Sequence, residues 1–166
     1  MPRFPATRAF AASAVARRGH ALRSWGRLEW AESDELRLSV ANDLGEIARA
    51  SEQATELLER EGAGASTVYA VQLALEEVLS NVVRHAYEDF ERHEIEIAIR
   101  IGVREVEIEI VDDGRAFDPL EAPEPDLGAP LAERRAGGLG IHLLRAYVRE
   151  IRYERRAGRN ALRLRI

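Results

Sequence analysis

The sequence predicts an α+β domain: a two-layer α/β sandwich with helices on one face of a mixed, largely antiparallel sheet. Three observations carry the prediction. Ile95, Ile97, Ile99 and Ile101 alternate with polar residues, Gly102 breaks the run, and Val106, Ile108 and Ile110 alternate again, the pattern of an antiparallel hairpin. Upstream, Val71, Leu75, Val78, Val82 and Ala86 recur at helical spacing, committing one face of a helix to a core. Finally, strand-type and helix-type segments follow one another in an order that suits a sheet with one helical layer.

The elements follow in turn. Leu36, Leu38 and Val40 alternate in a first strand, and Asn42 then caps a helix that runs to about Glu61 and stops at Gly62. Ser66 or Thr67 starts the second helix, which extends to about Tyr87. After the hairpin, residues 115–136 hold Pro119, Pro123, Pro125 and Pro130 among acids and small residues, a composition that resists regular structure and reads as a long lid loop. A third helix spans Leu139 to about Glu150. Two closing strands, 150–155 and 160–166, turn at Gly158.

Composition bounds the domain and its chemistry. The chain has 166 residues, 46% hydrophobic and 32% charged, enough for one domain with a sizeable core. It has no cysteine, and His20, His85, His93 and His142 lack the spacing of zinc ligands, so neither disulfides nor a structural zinc site is expected. No apolar run reaches membrane-spanning length and Arg17-Arg18 precedes no apolar signal core, so a cytoplasmic location is expected. Six of the 24 arginines fall in residues 1–28, where no acid occurs, leaving 18 against 29 acidic residues in the rest and a formal charge of −11 there. Residues 1–34 are therefore read as an Arg-rich, disordered tail and residues 35–166 as the working domain. The tail's arginines also suit a nucleic-acid arm, but no aromatic or periodic pattern accompanies them, and no direct nucleic-acid or membrane contact is expected.

Three short motifs stand at element ends. On the second helix, Glu77, Asn81 and His85 are four apart and form one stripe at the edge of the apolar face, continued towards the N-terminus by Leu73, Ala74 and Ala70. Such a stripe is either an ordinary polar flank or the wall of a half-buried pocket. At the end of the second hairpin strand stand Asp112, Asp113 and Gly114. A plain Asp-Gly turn fits, and so does a carboxylate presented to an amino group in a dry cleft beside a glycine that lets a flat ring approach. Asp113 is expected to face solvent or a partner. Before the third helix, Arg134-Arg135-Ala-Gly137-Gly138-Leu139-Gly140-Ile141 suits either a lid hinge or a phosphate cradle of backbone N–H groups at a helix start, with arginines adding charge-assisted contacts. It is not a P-loop, because the chain has no lysine, and no strand precedes it as in dinucleotide folds. Alone each motif is ambiguous; their order and placement together describe a pocket for ATP and magnesium.

The segments Ala74-Leu-Glu-Glu77-Val-Leu-Ser-Asn81-Val-Val-Arg-His85-Ala-Tyr87, Asp112-x-Gly114-x-x-Phe117-Asp118-Pro119 and Gly137-Gly-Leu-Gly-Ile141 resemble the N, G1 and G2 boxes of the GHKL ATPase superfamily. Within it they are most similar to the anti-sigma-factor serine kinases of bacterial partner-switching systems. The resemblance covers residues 35–166 and implies the Bergerat-type ATP-binding fold. It also implies roles. Asn81 would give an oxygen to Mg²⁺, and Glu77 would be the catalytic base acting on the attacking hydroxyl. Asp112 would accept from the adenine amino group, with Gly114 letting the base approach. Phe117, Arg135, Gly137, Gly138, Leu139, Gly140 and Ile141 would complete the nucleotide site, Gly138 and Gly140 holding the phosphates beneath the lid.

The implied activity is that of an ATP-dependent protein serine/threonine kinase that phosphorylates a serine of a STAS-type anti-sigma-factor antagonist. It would also sequester a sigma factor and so regulate transcription. An ATP-sensing anti-sigma module without significant kinase activity is the alternative. Family members commonly dimerise, and the first strand and helix are the expected surface. Two positions depart from the family pattern. Ala116 stands where a second glycine is frequent, and no threonine follows Thr67, leaving Asn160 to substitute near the final strand or the base contact to be absent.

Overall fold

The computed structural model describes residues 35–119 and 139–166. The lid beyond Pro119, the tail before Glu35, and Arg134, Arg135, Gly137 and Gly138 lie outside the described residues.

Strand β1 (Glu35–Ala41) leads into α1 (Leu44–Arg60) and α2 (Ala65–His85), followed by the hairpin β2 (Glu94–Ile101) and β3 (Val106–Asp112). Helix α3 (Leu139–Tyr147) and the hairpin β4 (Glu150–Arg156) and β5 (Arg159–Arg165) complete the chain. The five strands form one sheet in the order β1-β2-β3-β5-β4. Every pairing is antiparallel, so the sheet expected to be mixed and largely antiparallel is antiparallel throughout its described strands.

One face of the sheet meets the helices. Ile95, Ile97, Ile99, Ile108, Ile110 and Leu164 point to that side and pack with Leu57, Leu58, Val71, Leu75 and Leu79 in one cluster. Each such side chain contributes about 1.5–3 kcal/mol by leaving water, and their alternation pins the strand register, since a one-residue slip would expose the whole set. The other face is charged. Glu35, Arg100, Glu107, Arg165 and Glu150 line up across all five strands in alternating sign. Arg100 pairs with Glu35 at 2.9 Å and Glu107 at 3.0 Å, and Arg163 pairs with Glu109 at 2.7 Å, so the acids at the sheet centre are covered by arginine stems.

Some boundaries differ from expectation. Asp43, not Asn42, caps α1: its Oδ1 accepts from the Gly45 N–H at 2.8 Å. Asn42 instead ties β1 to the segment before β2, accepting from the His93 N–H and donating to the Glu91 carbonyl, both at 3.1 Å. Helix α2 starts at Ala65 after Gly64, which has no side chain to cap it, and ends at His85. Helix α3 ends at Tyr147 instead of continuing to Glu150, because the Arg149 N–H already bonds the Arg165 carbonyl at 2.7 Å. Ala157 (φ 49°) and Gly158 (φ 81°) make the two-residue turn between β4 and β5, both with the positive φ that matches the strand twist.

Candidate functional site

Helix α2 sets one wall of the site. Because residues four apart stack on one helical face, Leu73, Glu77 and Asn81 follow each other there, half-buried, while His85 at the end is exposed. Ala70 and Ala74 beside them are buried, so the stripe borders the core as its sequence predicts.

Strand β3 sets the floor. Asp112 ends the strand 5% exposed, and its Oδ1 accepts from the Gly114 N–H at 2.9 Å and from Asn160 Nδ2 at 2.8 Å. The turn that follows is pinned to the end of α2, where the Arg115 N–H donates to the Ala86 carbonyl at 2.8 Å. This explains Gly114: a Cβ there would lie 2.5 Å from the Ala86 Cβ and 2.7 Å from its carbonyl oxygen. The close approach that the glycine permits is therefore made by α2 itself.

Asp113 points elsewhere. It binds His93 Nδ1 at 3.0 Å, while His93 Nε2 meets Asp89 at 2.9 Å and the imidazole stacks on Tyr87 with centroids 4.1 Å apart. The hydrogen bond to Asp89, then that to Asp113, raises the His93 pKa against the opposing cost of desolvation. Burial, with the Asp112 and Asp113 carboxylates adding to it, pushes Tyr87 up. Neither residue enters the chemistry below; both brace the turn that carries Asp112.

Asn81, Asp112, Phe117 and Ile141 come together around one cleft that is partly open to solvent. Its walls are largely apolar, and Phe117 at its edge is 48% exposed. Residues that sequence reasoning missed also line it, among them Tyr153 and Leu162. For Leu162 the signal was strand phase, shared with the already named Asn160. Asn160 falls on the inward register with Leu162 and Leu164, and a polar residue on an otherwise apolar face marks a site.

Glu77 lies one turn before Asn81, against the start of α3. A Cβ on Gly140 would fall 1.6 Å from Glu77 Oε2 and 2.1 Å from its Cδ, so the carboxylate can hold this position only because residue 140 has no side chain. Gly140 was expected beside phosphates; the structure places it against the Glu77 carboxylate. Burial, followed by the neighbouring Glu76, holds the Glu77 carboxyl above the usual range, with Arg84 acting in the opposite direction. Glu77 does not itself line the cleft but stands one helical turn from Asn81, which does, and a more basic carboxylate suits proton acceptance from a hydroxyl.

No cluster of three or more His, Cys, Asp or Glu able to hold a metal occurs among the described residues. Magnesium keeps waters and phosphate oxygens in its shell, and a lone oxygen from Asn81 at the cleft matches that demand. Among the described residues, no helix is long and apolar enough to cross a membrane.

Comparison with known proteins places these features. A profile of the histidine kinase-like ATPase domain matches residues 40–166. The serine/threonine-protein kinase BtrW of Bordetella bronchiseptica is 35% identical over 96 residues, covering 58% of this chain and 68% of that protein. The serine-protein kinase RsbW of Bacillus subtilis is 30% identical over 95 residues, 53% of this chain and 58% of that protein. Among solved structures, the RsbU and RsbW domains of Rv1364c from Mycobacterium tuberculosis share the fold, with a TM-score of 0.57 over 79% of this chain and 31% of that one, at 20% identity. With a profile match over residues 40–166 and a fold shared with that solved structure, the chain belongs to the histidine kinase-like ATPase domain family of the GHKL type.

Proposed function

We propose that this protein is an anti-sigma factor and an ATP-dependent serine kinase, acting in the cytoplasm, that phosphorylates a serine of a STAS-type antagonist and thereby exchanges partners with a sigma factor. One observation carries the reading: Glu77 and Asn81 stand one turn apart on α2, the first against α3 and the second in the cleft that ends at Asp112.

The residues divide the work. Asp112 accepts from the exocyclic amino group of adenine, and Phe117 and Ile141 cover the apolar faces of the base. Asn81 supplies an oxygen to magnesium, which when bound offsets the charge of the phosphate oxygens. Arg135, Gly137, Gly138 and the start of α3 at Leu139 and Gly140 complete the phosphate end, where backbone N–H groups and the helix dipole favour anions. Glu77 takes the proton of the serine hydroxyl as that oxygen attacks the γ-phosphorus, the bond from the γ-phosphorus to the β–γ bridging oxygen breaks, and ADP leaves. Positioning and electrostatics supply most of the acceleration in such transfers.

The names of the kinase relatives, and the family to which the chain belongs, support ATP as the phosphoryl donor. Dimerisation through β1 and α1 belongs to the same proposal, since β1 is an edge strand of the sheet among the described residues. The test is transfer of labelled γ-phosphate from ATP to a purified STAS-type antagonist. Stoichiometric labelling of a serine supports the kinase. A protein that binds ATP and transfers nothing overturns it and leaves the ATP-sensing module in its place.

A further inference from the structure

Asn160 faces Asp112 directly in the β3–β5 register and is 5% exposed. Its Nδ2 donates to Asp112 Oδ1 at 2.8 Å and to the Arg115 carbonyl at 3.0 Å. Its Oδ1 accepts from the Tyr153 hydroxyl at 2.8 Å and from Arg155 Nη1 at 2.5 Å. Donors gather on one side of the amide and acceptors on the other. Turning it over would set its oxygen against a carboxylate and a carbonyl, and its NH₂ against two donors. The orientation is therefore determined from both sides.

The consequence falls on Asp112. With Gly114 N–H at 2.9 Å and Asn160 Nδ2 both on Oδ1, the carboxylate is held in one rotamer and its other oxygen has only acceptor capacity to offer. Tyr153 and Asn160 themselves line the cleft. We propose that Tyr153, Arg155 and Asn160 are positioning residues that set nucleobase specificity, holding Asp112 as an acceptor-only group that admits a 6-amino purine and rejects a 6-oxo purine. The inference rests on the nucleotide reading above. A 6-amino group donates to Asp112, whereas a 6-oxo group sets a lone pair against a carboxylate that can neither donate nor turn away.

The test compares affinities for ATP and ITP, which differ in the group at purine position 6 and in the proton on N1, by calorimetry between pH 6 and 8. Wild-type protein is expected to favour ATP by about tenfold or more, from one buried hydrogen bond lost and one repulsion gained. Asn160→Asp places a second carboxyl about where the amide stood, so the pair shares a proton and one carboxyl becomes a donor. In that variant the ATP/ITP ratio should fall by about tenfold and vary with pH, which a merely structural defect would not produce. Tyr153→Phe removes one of the two donors to Asn160 and should lower the ATP/ITP ratio by about threefold. If Asn160→Asp fails to fold, Tyr153→Phe decides alone. Folded variants that keep the wild-type ratio at every pH overturn the inference while the ATP reading stands. Wild-type protein that binds neither nucleotide overturns both.

Discussion

Gly140→Ala isolates the contact between α3 and Glu77. The added carbon would sit 1.6 Å from Glu77 Oε2, and ordinary contact begins at 3.4 Å, so the carboxylate has to retreat by about 1.8 Å. It can do so, because it is the far end of a flexible side chain. The fold is expected to survive and even gain, since alanine is favoured over glycine in a helix by on the order of 0.5–1 kcal/mol. Transfer should not survive. A misplacement of about 1 Å in a reacting group can cost about 100-fold, so kcat is expected to fall by at least that factor. The assay is steady-state phosphoryl transfer to the antagonist, alongside thermal unfolding and ATP affinity. Transfer within about twofold of wild type would refute the placement of Glu77 as base. An intact kcat with a raised KM for ATP would show that Gly140 matters for holding the phosphates and not for placing the Glu77 carboxylate.

Glu77→Gln should bind ATP within about threefold of wild type yet lose transfer by about 100-fold or more, measured by single-turnover labelling. Because burial raises the Glu77 pKa, wild-type transfer should decline as pH falls through that raised value, an acid limb lying above the ordinary carboxylate value of 4.5. The stability sign is opposite. The folded protein holds this proton more tightly than the unfolded chain, so stability declines as pH rises through the raised pKa, and Glu77→Gln should raise the neutral-pH Tm by an amount that vanishes in acid. Asn81→Ala should weaken Mg·ATP binding by about tenfold while leaving affinity in the presence of a chelator unchanged, as calorimetry with and without chelator will report. Gly114→Ala should destabilise by about 1–3 kcal/mol in chemical denaturation, because its Cβ meets the backbone and side chain of Ala86 at 2.7 and 2.5 Å; wild-type stability would contradict the packing of that turn on α2.

Much of this site was legible before any coordinates, and the reason is local. A helix repeats about every 3.6 residues, so the apolar positions from Val71 to Ala86 were enough to set Glu77 and Asn81 on one stripe bordering the core. Strand alternation likewise put Asp112 at the inward end of β3. What failed was decided by distant partners. Asn42 and Asp43 are both good caps, and the choice between them followed from bonds that Asn42 makes with Glu91 and His93, about fifty residues away. Gly114 read as part of a plain Asp-Gly turn or as room for a base, and that the end of α2 packs against it could not be seen locally. The final strands were found as a hairpin, but nothing local says that β5 rather than β4 pairs with β3.

The amino-acid sequence by itself determined the elements, their inward faces and the residue types at their ends, because backbone propensity and hydrophobic period act over a few residues. Tertiary structure decided which of those ends touch. Glu77 meets Gly140 across 63 positions of chain, and Asp112 meets Asn160 across 48. Such contacts depend on how α3 seats on α2 and on the register of β5 against β3, and both are settled by close packing of the shared core, which no local pattern encodes.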